Sequence, residues 1–184
     1  MGKHTRRIVA VIPAHNEQTT VGHTVTSLQH QTAPPDRVLV VSDNSTDDTV
    51  QAARDAGADT MVTTGNTHKK AGALNQALAT LNLTDSDLVL IMDADTIMVP
   101  GWIERALGEL QDSRVGAVGA VFQADSDKGW LRGCQKREWA RYAIQIARTG
   151  RTFVLSGTAA LIRWEALQDV RRATGNYYDP TALT

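Results

Sequence analysis

The 184-residue chain is 42% hydrophobic and 21% charged, the balance of an ordinary globular protein with length enough for a real core. A formal net charge of −1 excludes a global basic field for nucleic acid, and the single cysteine, Cys134, excludes an internal disulfide or a cysteine-clustered zinc site. No apolar run approaches the roughly 20 residues that span a bilayer, so a membrane would be met from its surface or through a partner.

From the N-terminus, "RRIVAVIPA" (6–14) predicts a β-branched strand closed by Pro13. Its apolar part is too short for a secretory leader and runs straight into "HNE", which points to a cytoplasmic protein, at most one at the inner face of the membrane. Residues 18–32 place Val21, Val25 and Leu28 on one helical face. After Pro34-Pro35, "DRVLVVSD" (36–43) reads as a second strand. A capping-box-like Ser45 and Asp48 then open a helix that ends at Gly57. A third strand (59–64) leads through the polar loop "GNTHKK" to a helix over 71–81, and "DLVLIMD" follows as a fourth strand. A helix over 101–111, a strand over 115–123 and a longer helix over 129–147 come next, before a turn, a strand and a helix start within 152–167. Strands alternating with helices of this length imply crossover units and a mostly parallel sheet. Ligands of such sheets sit off the carboxyl ends of the strands. Here those ends carry "AHNE", "SDNSTDD" and "DAD".

Asp93 and Asp95 stand two residues apart at the end of the apolar run Leu88 to Met92. Burying unpaired carboxylates is costly, so they need a use. Both can face one cation if the chain turns just past the strand, and oxygen-only sites suit Mg²⁺ or Mn²⁺. A lone pair of this spacing is also common as a loop or helix cap. "IPAHNE" (12–17) offers backbone N–H groups at a helix N-terminus, where anions are favoured, unless Asn16 is only a helix cap. Asp43, at the end of the second strand, is placed to accept hydrogen bonds from a base or ribose, whereas Ser45, Asp47 and Asp48 read better as caps. In "HKKAGALN" (68–75), lysines ahead of Gly72 can hold a diphosphate as point charges, although Lys69 is equally a solvated surface lysine.

In order and spacing, "VIPAHNE", "VVSDNSTDDT", "KKAGALN", "MDADT", "RVGAVGA" and "SGTAALIRWEAL" resemble the family 2 glycosyltransferases. The likeness is to the branch of membrane-associated polysaccharide synthases and N-acetylglucosaminyltransferases, and it covers roughly residues 6 to 184. It implies one nucleotide-sugar-binding domain of the glycosyltransferase A type, a three-layer α/β sandwich around a mostly parallel, mixed sheet. It also implies a UDP-sugar donor, a bound Mn²⁺ or Mg²⁺, and inverting transfer to a hydroxyl acceptor, glycan or lipid-linked. By the same resemblance, Pro13, Ala14, His15, Asn16 and Glu17 line the nucleotide pocket and Asp43 recognises the uracil, with Ser42 standing where the family commonly has a first Asp. Lys70 lies beside the nucleotide, Asp93 against the ribose and metal, and Asp95 is the direct metal ligand. Ala94, Ser156, Gly157 and Thr158 line the donor sugar and the acceptor entrance.

In relatives, the general base is an acidic residue just after a "Y-D-P-x-x-L-T"-like segment, here "YYDPTALT", so the base is expected beyond Thr184 and the domain is C-terminally incomplete relative to the family. Asp179 precedes that position and is a poor substitute. A rival reading is therefore a nucleotide-sugar-binding or assembly module without transfer, and homo-oligomerisation is compatible with it. A nucleotidyltransferase is disfavoured, because "PAHNE" stands where its Gly-rich loop would be. Between Gly129 and Arg151, six basic residues face the single acid Glu138, with Trp130, Trp139 and Tyr142 interleaved. A helix lying on a membrane surface is one account, and a solvated helix face with packed aromatics is the preferred one.

Overall fold

The computed structural model describes residues 6–121 and 158–179. The expected helix over 129–147 and its basic and aromatic residues, Cys134, Ser156 and Gly157 lie outside the described residues, as do positions 180–184. Among the described residues the elements in chain order are β1 (Ile8–Ala14), α1 (Val21–Gln29), β2 (Arg37–Ser42), α2 (Thr49–Asp55), β3 (Asp59–Val62), α3 (Lys69–Thr80), β4 (Leu88–Met92), α4 (Trp102–Glu109), β5 (Ala117–Gly119), β6 (Ala159–Arg163) and α5 (Trp164–Thr174).

The strands form one six-stranded sheet in the order β3-β2-β1-β4-β6-β5. β1 pairs in parallel with both β2 and β4, while β6 runs antiparallel to β4 and to β5. The sheet is therefore mixed: β3-β2-β1-β4 form a parallel run from one edge, and β6 runs against both of its neighbours. All five residues of β4 are buried, as is nearly all of β1, which is why both read as unbroken apolar runs. Alternation along each strand then builds two cores. Ile8, Ala10, Ile12, Leu88 and Leu90 face Val21, Val25 and Leu28 of α1 and Ile103 of α4. Val9, Val11, Val89 and Ile91 face Leu74 and Leu78 of α3 and Trp164 of α5. Full burial of each such aliphatic side chain is worth about 1.5–3 kcal/mol. The result is three layers, helix on sheet on helix. Among the described residues no helix is long and apolar enough to cross a membrane.

The chain order reverses between β1 and β4, since the path from β1 goes outward through β2 and β3 and then returns to β1's other side. That is the switch point at which open α/β sheets leave a crevice for ligands. The opposite end of the sheet is tied by Asp87, which is 6% exposed. Its carboxylate accepts the Thr84 N–H (2.8 Å), the Arg7 N–H (3.2 Å) and the Arg7 guanidinium (3.3 Å). Burial pushes the Asp87 carboxyl up, but these donors outweigh it and hold it below the usual 3.8. A depressed carboxyl contributes stability that is full above the unfolded value and is lost as pH falls through the folded one. Asp87→Asn should therefore cost about 1–3 kcal/mol at pH 7 and progressively less below about pH 4. Urea unfolding at pH 7 and pH 3 checks this, and an equal deficit at both would refute the assignment.

Several ends differ from the sequence expectation. α1 starts at Val21 rather than Gln18, and α2 at Thr49 with no side-chain cap from Asp48, so the Ser45/Asp48 capping box does not form. α3 starts two residues early, at Lys69, and over residues 115–121, the described part of the strand expected over 115–123, the strand is Ala117–Gly119. Arg163, 8% exposed, closes the far edge by donating to the carbonyls of Leu110 (2.6 Å) and Val115 (2.8 Å), satisfying acceptors left over by the end of α4.

Candidate functional site

The carboxyl ends of β1 and β2, with the loop into α3, enclose an open cleft of about 450 Å³. Pro13, Ala14, His15, Asp43, Asn44, Asn66, Thr67, Lys69 and Lys70 line it. Of the five expected pocket residues from the first strand and loop, Pro13, Ala14 and His15 line it, and Asn16 stands beside it, its Nδ2 3.3 Å from His15 Nε2. Glu17 is set back, its carboxylate accepting the Thr20 hydroxyl at 2.5 Å.

Asp43 is held in the cleft wall by the sheet itself: its N–H continues the β1–β2 ladder onto the Ala14 carbonyl at 2.8 Å. Its side chain is 7% exposed and its Oδ1 accepts three donors, the Thr63 hydroxyl (2.7 Å), Asn66 Nδ2 (2.8 Å) and Asn44 Nδ2 (3.1 Å). Asn66 is fully engaged in turn, donating also to the Lys69 carbonyl (2.8 Å) and accepting the His68 N–H (3.0 Å). Asn66 can reach this far because α3 carries glycine at position 72. A Cβ there would lie 1.9 Å from Asn66 Oδ1. His15 bonds the Asp43 carbonyl through Nδ1 at 2.7 Å, which fixes the proton on Nδ1 and leaves Nε2 as the acceptor toward Asn16 Nδ2.

The expected anion seat after β1 takes a different form. The N–H groups of Asn16, Glu17 and Gln18 are already taken by Ser45 Oγ (3.1 Å), Thr49 Oγ1 (2.8 Å) and Asp47 Oδ2 (3.1 Å). In return, Asn16 Oδ1 accepts the Thr46 N–H at 2.8 Å and Gln18 Oε1 the Asp48 N–H at 3.0 Å. Asp47 serves as both cap and staple: its Oδ1 accepts the Thr49 N–H that opens α2 (3.1 Å) while its Oδ2 joins Ser45 in stapling two loops together, and Asn16 caps no helix. The cleft edge is shaped by this staple rather than by free backbone donors. Asn16 (φ 56°), Asn44 (φ 51°) and Lys69 (φ 48°) are the non-glycine residues with left-handed backbone among those described, and all three sit at or beside the cleft. Asparagine tolerates that region, whereas for lysine it stores strain of roughly 1–2 kcal/mol.

The aspartate pair lies in a turn just past β4. Asp93 N–H donates to the Thr158 carbonyl (2.9 Å), so Thr158, expected near the donor sugar, stands against the pair. Ala94 is 4% exposed and packs into the core, with its carbonyl accepting the Thr24 hydroxyl at 2.8 Å, so its part is to hold the turn. Asp95 is exposed, and among the described residues nothing bonds it. Asp93 is half-buried and ion-paired with Lys70, which links the aspartate turn to the cleft. Burial pushes the Asp93 carboxyl above its ordinary value, the Lys70 ammonium opposes this, and the charges of Asp95 and Glu17 add to the rise.

This donor set fits a hard divalent cation that arrives with its own ligands. The described residues hold no group of three His, Cys, Asp or Glu side chains able to enclose a metal ion. Two carboxylates, one exposed and one raised mainly by burial, instead suit an ion completed by waters and phosphate oxygens.

Sequence reasoning missed Thr63, Asn44 and Asn66, which decide how Asp43 is presented. The "GNTHKK" loop gave polarity without partners. It also missed Asn75, whose amide makes a reciprocal pair with the Tyr178 backbone, Nδ2 to O at 2.8 Å and Tyr178 N–H to Oδ1 at 2.9 Å. That clamp brings the "YYD" segment onto the helix that carries Lys70. Tyr178 is half-buried there, and loss of solvent around its hydroxyl pushes that group up to about 12.

Residues 9–171 match the family described as glycosyl transferase family 2. Among curated proteins, a putative cellulose synthase 2 of Komagataeibacter xylinus is 34% identical over 100 residues, covering 53% of this chain and 6% of its own. The 4,4'-diaponeurosporenoate glycosyltransferase of Staphylococcus aureus is 42% identical over 53 residues, covering 29% of this chain and 14% of its own. Among solved structures, a mannosyltransferase from Pyrobaculum calidifontis in complex with GDP-Man and Mn²⁺ superposes with a TM-score of 0.70 at 24% identity, over 90% of this chain and 47% of that one. Glucosyl-3-phosphoglycerate synthase from Mycobacterium tuberculosis, in complex with Mn²⁺, UDP and phosphoglyceric acid, gives 0.60 at 26%, over 86% and 56%. The chain therefore spans a small part of those curated relatives and about half of those structures.

Proposed function

The chain belongs to glycosyltransferase family 2, and within that family we propose that it binds a UDP-sugar with Mn²⁺ or Mg²⁺ for inverting transfer of the sugar to a hydroxyl acceptor. One observation carries the reading. Asp43 just past β2 and the Asp93/Asp95 turn after β4 flank β1 at the switch point of the sheet, and Lys70 joins the cleft to the turn. A nucleoside laid in the cleft against Asp43 then directs its diphosphate toward Lys70 and the two aspartates. Asp95 and Asp93 would hold the cation, which when bound neutralises charge developing on the leaving nucleoside diphosphate. Lys70 balances the Asp93 carboxylate and stands beside the phosphates. His15 and the loop staple keep the cleft edge in place, and Thr158 secures the turn. The glycan or lipid-linked character of the acceptor and contact with a membrane face belong to the same proposal.

Calorimetric titration of UDP, with and without Mn²⁺, tests it, together with a donor-turnover assay on UDP-linked sugars. Binding should be at least about tenfold tighter with the metal, a gain of about 1.4 kcal/mol. Equal binding with and without Mn²⁺ would remove the basis for the metal assignment. Donor binding with no turnover would favour a binding module over an enzyme.

A further inference from the structure

Resting on that reading, we infer that Asn66 and Thr63 are positioning residues that set nucleobase selectivity, restricting Asp43 to a base edge that offers a single N–H, as uracil does, and disfavouring guanine. The solved relatives include complexes with GDP-Man and with UDP, so membership of the family leaves the base open.

The two oxygens of Asp43 are not equivalent. Thr63, Asn66 and Asn44 all donate to Oδ1, at 2.7, 2.8 and 3.1 Å. A carboxylate oxygen with three donors is saturated. Among the described residues none reaches Oδ2. The one buried side-chain polar atom without a partner among them is Trp164 Nε1, so Oδ2 keeps contact with the cleft that Asp43 lines. The carboxylate cannot exchange its oxygens freely, because Asn66 is itself fixed at both ends, on the Lys69 carbonyl and the His68 N–H. Rotation would forfeit donors that have nowhere else to turn.

Uracil presents one imide N–H between two carbonyls, and one open oxygen satisfies it. Guanine presents two adjacent N–H groups, which a carboxylate receives well only with both oxygens. Here the second guanine N–H would meet an oxygen already filled and would be buried without a partner. Leaving such a donor unsatisfied lowers affinity by about tenfold or more.

Calorimetry with UDP and with GDP, each in the presence of Mn²⁺, reads this directly. The wild-type chain should bind UDP at least about tenfold tighter than GDP. Thr63→Val, which removes one Oδ1 donor at nearly constant shape, combined with Asn66→Ala, which removes another, leaves Asn44 alone on Oδ1, opens that oxygen to a guanine N–H and should bring that ratio toward about threefold or less. General loss of folding weakens both nucleotides together and leaves the ratio alone, so the ratio separates positioning from simple damage. A wild type that does not prefer UDP overturns the inference. So does a ratio unchanged in the double variant while Asp43→Asn loses UDP binding, and in that case the proposed function stands. If Asp43→Asn binds UDP as well as wild type does, the assignment of Asp43 to the base falls with it.

Discussion

Asp95→Ala should lose metal-dependent nucleotide binding on the order of 100-fold while leaving the fold as stable as before. The two halves of this expectation come from the same geometry. Asp95 is exposed in the turn after β4, and among the described residues it makes no bond that its removal would break. Surface changes of that kind stay within about 0.5 kcal/mol. Its charge also adds to the rise of the neighbouring Asp93 carboxyl, so removing it relieves a repulsion. A side chain that costs the fold something and gives it nothing is one whose use lies with a ligand. Asp93 differs, since its loss would strand the Lys70 ammonium and disturb the cleft as well as the metal. The acid dependence follows from the same pair. Because burial and the nearby acids raise Asp93, it takes up a proton at a higher pH than an ordinary carboxyl of 3.8. Cation affinity should therefore weaken on acidification before ordinary carboxylates titrate. Mn²⁺ and UDP titrations on wild type and Asp95→Ala, with thermal unfolding of both, check the result. Undiminished metal dependence in the variant would sink the ligand role of Asp95.

What the sequence revealed and what it hid divide along a physical line. Strands β1 and β4 were legible because a central parallel strand is covered on both faces and must be apolar throughout, as Leu88 to Met92 are. The helical face of Val21, Val25 and Leu28 was legible for a similar reason: its period is local. The helix starts were misread because Ser45, Asn16 and Asp47 have side chains that suit a cap and a loop staple equally well. Only the meeting of the 15–18 and 45–49 loops, some 30 residues apart in the chain, decides between them. Asp43 and the Asp93/Asp95 pair stood out because carboxylates at strand ends are conspicuous. Asn66 did not, since a neutral amide in a polar loop shows nothing until its partners just past β2 and at the start of α3 are in place. Asn75 was hidden in the same way, with its reciprocal bond reaching 103 residues along the chain to Tyr178.

Gly72→Ala should be the most damaging conservative change in the site. The reason is contact rather than backbone conformation, because Gly72 lies within α3, where alanine is otherwise the better helix former by about 1 kcal/mol. Its added Cβ would sit 1.9 Å from Asn66 Oδ1, 2.8 Å from Asn66 Cγ and 3.0 Å from the His68 Cβ. Asn66 cannot simply swing aside, as its amide is bonded to Asp43, to the Lys69 carbonyl and to the His68 N–H. Either the helix start moves or Asn66 leaves, and both take a donor from the buried Asp43 carboxylate. Overpacking of this kind costs about 1–3 kcal/mol, and the lost bond to a charged group about 1.5–3 more. Stability should thus fall by at least about 2 kcal/mol, and UDP affinity should fall with it. Gly108→Ala serves as the control, since a Cβ there meets nothing within 4 Å and its helix, α4, packs on the other face of the sheet. It should gain rather than lose stability by helix propensity alone. Denaturant unfolding of the two variants separates the accounts. If Gly72→Ala also gains stability and keeps its UDP affinity, the Asn66 bracket is not what holds Asp43 in place.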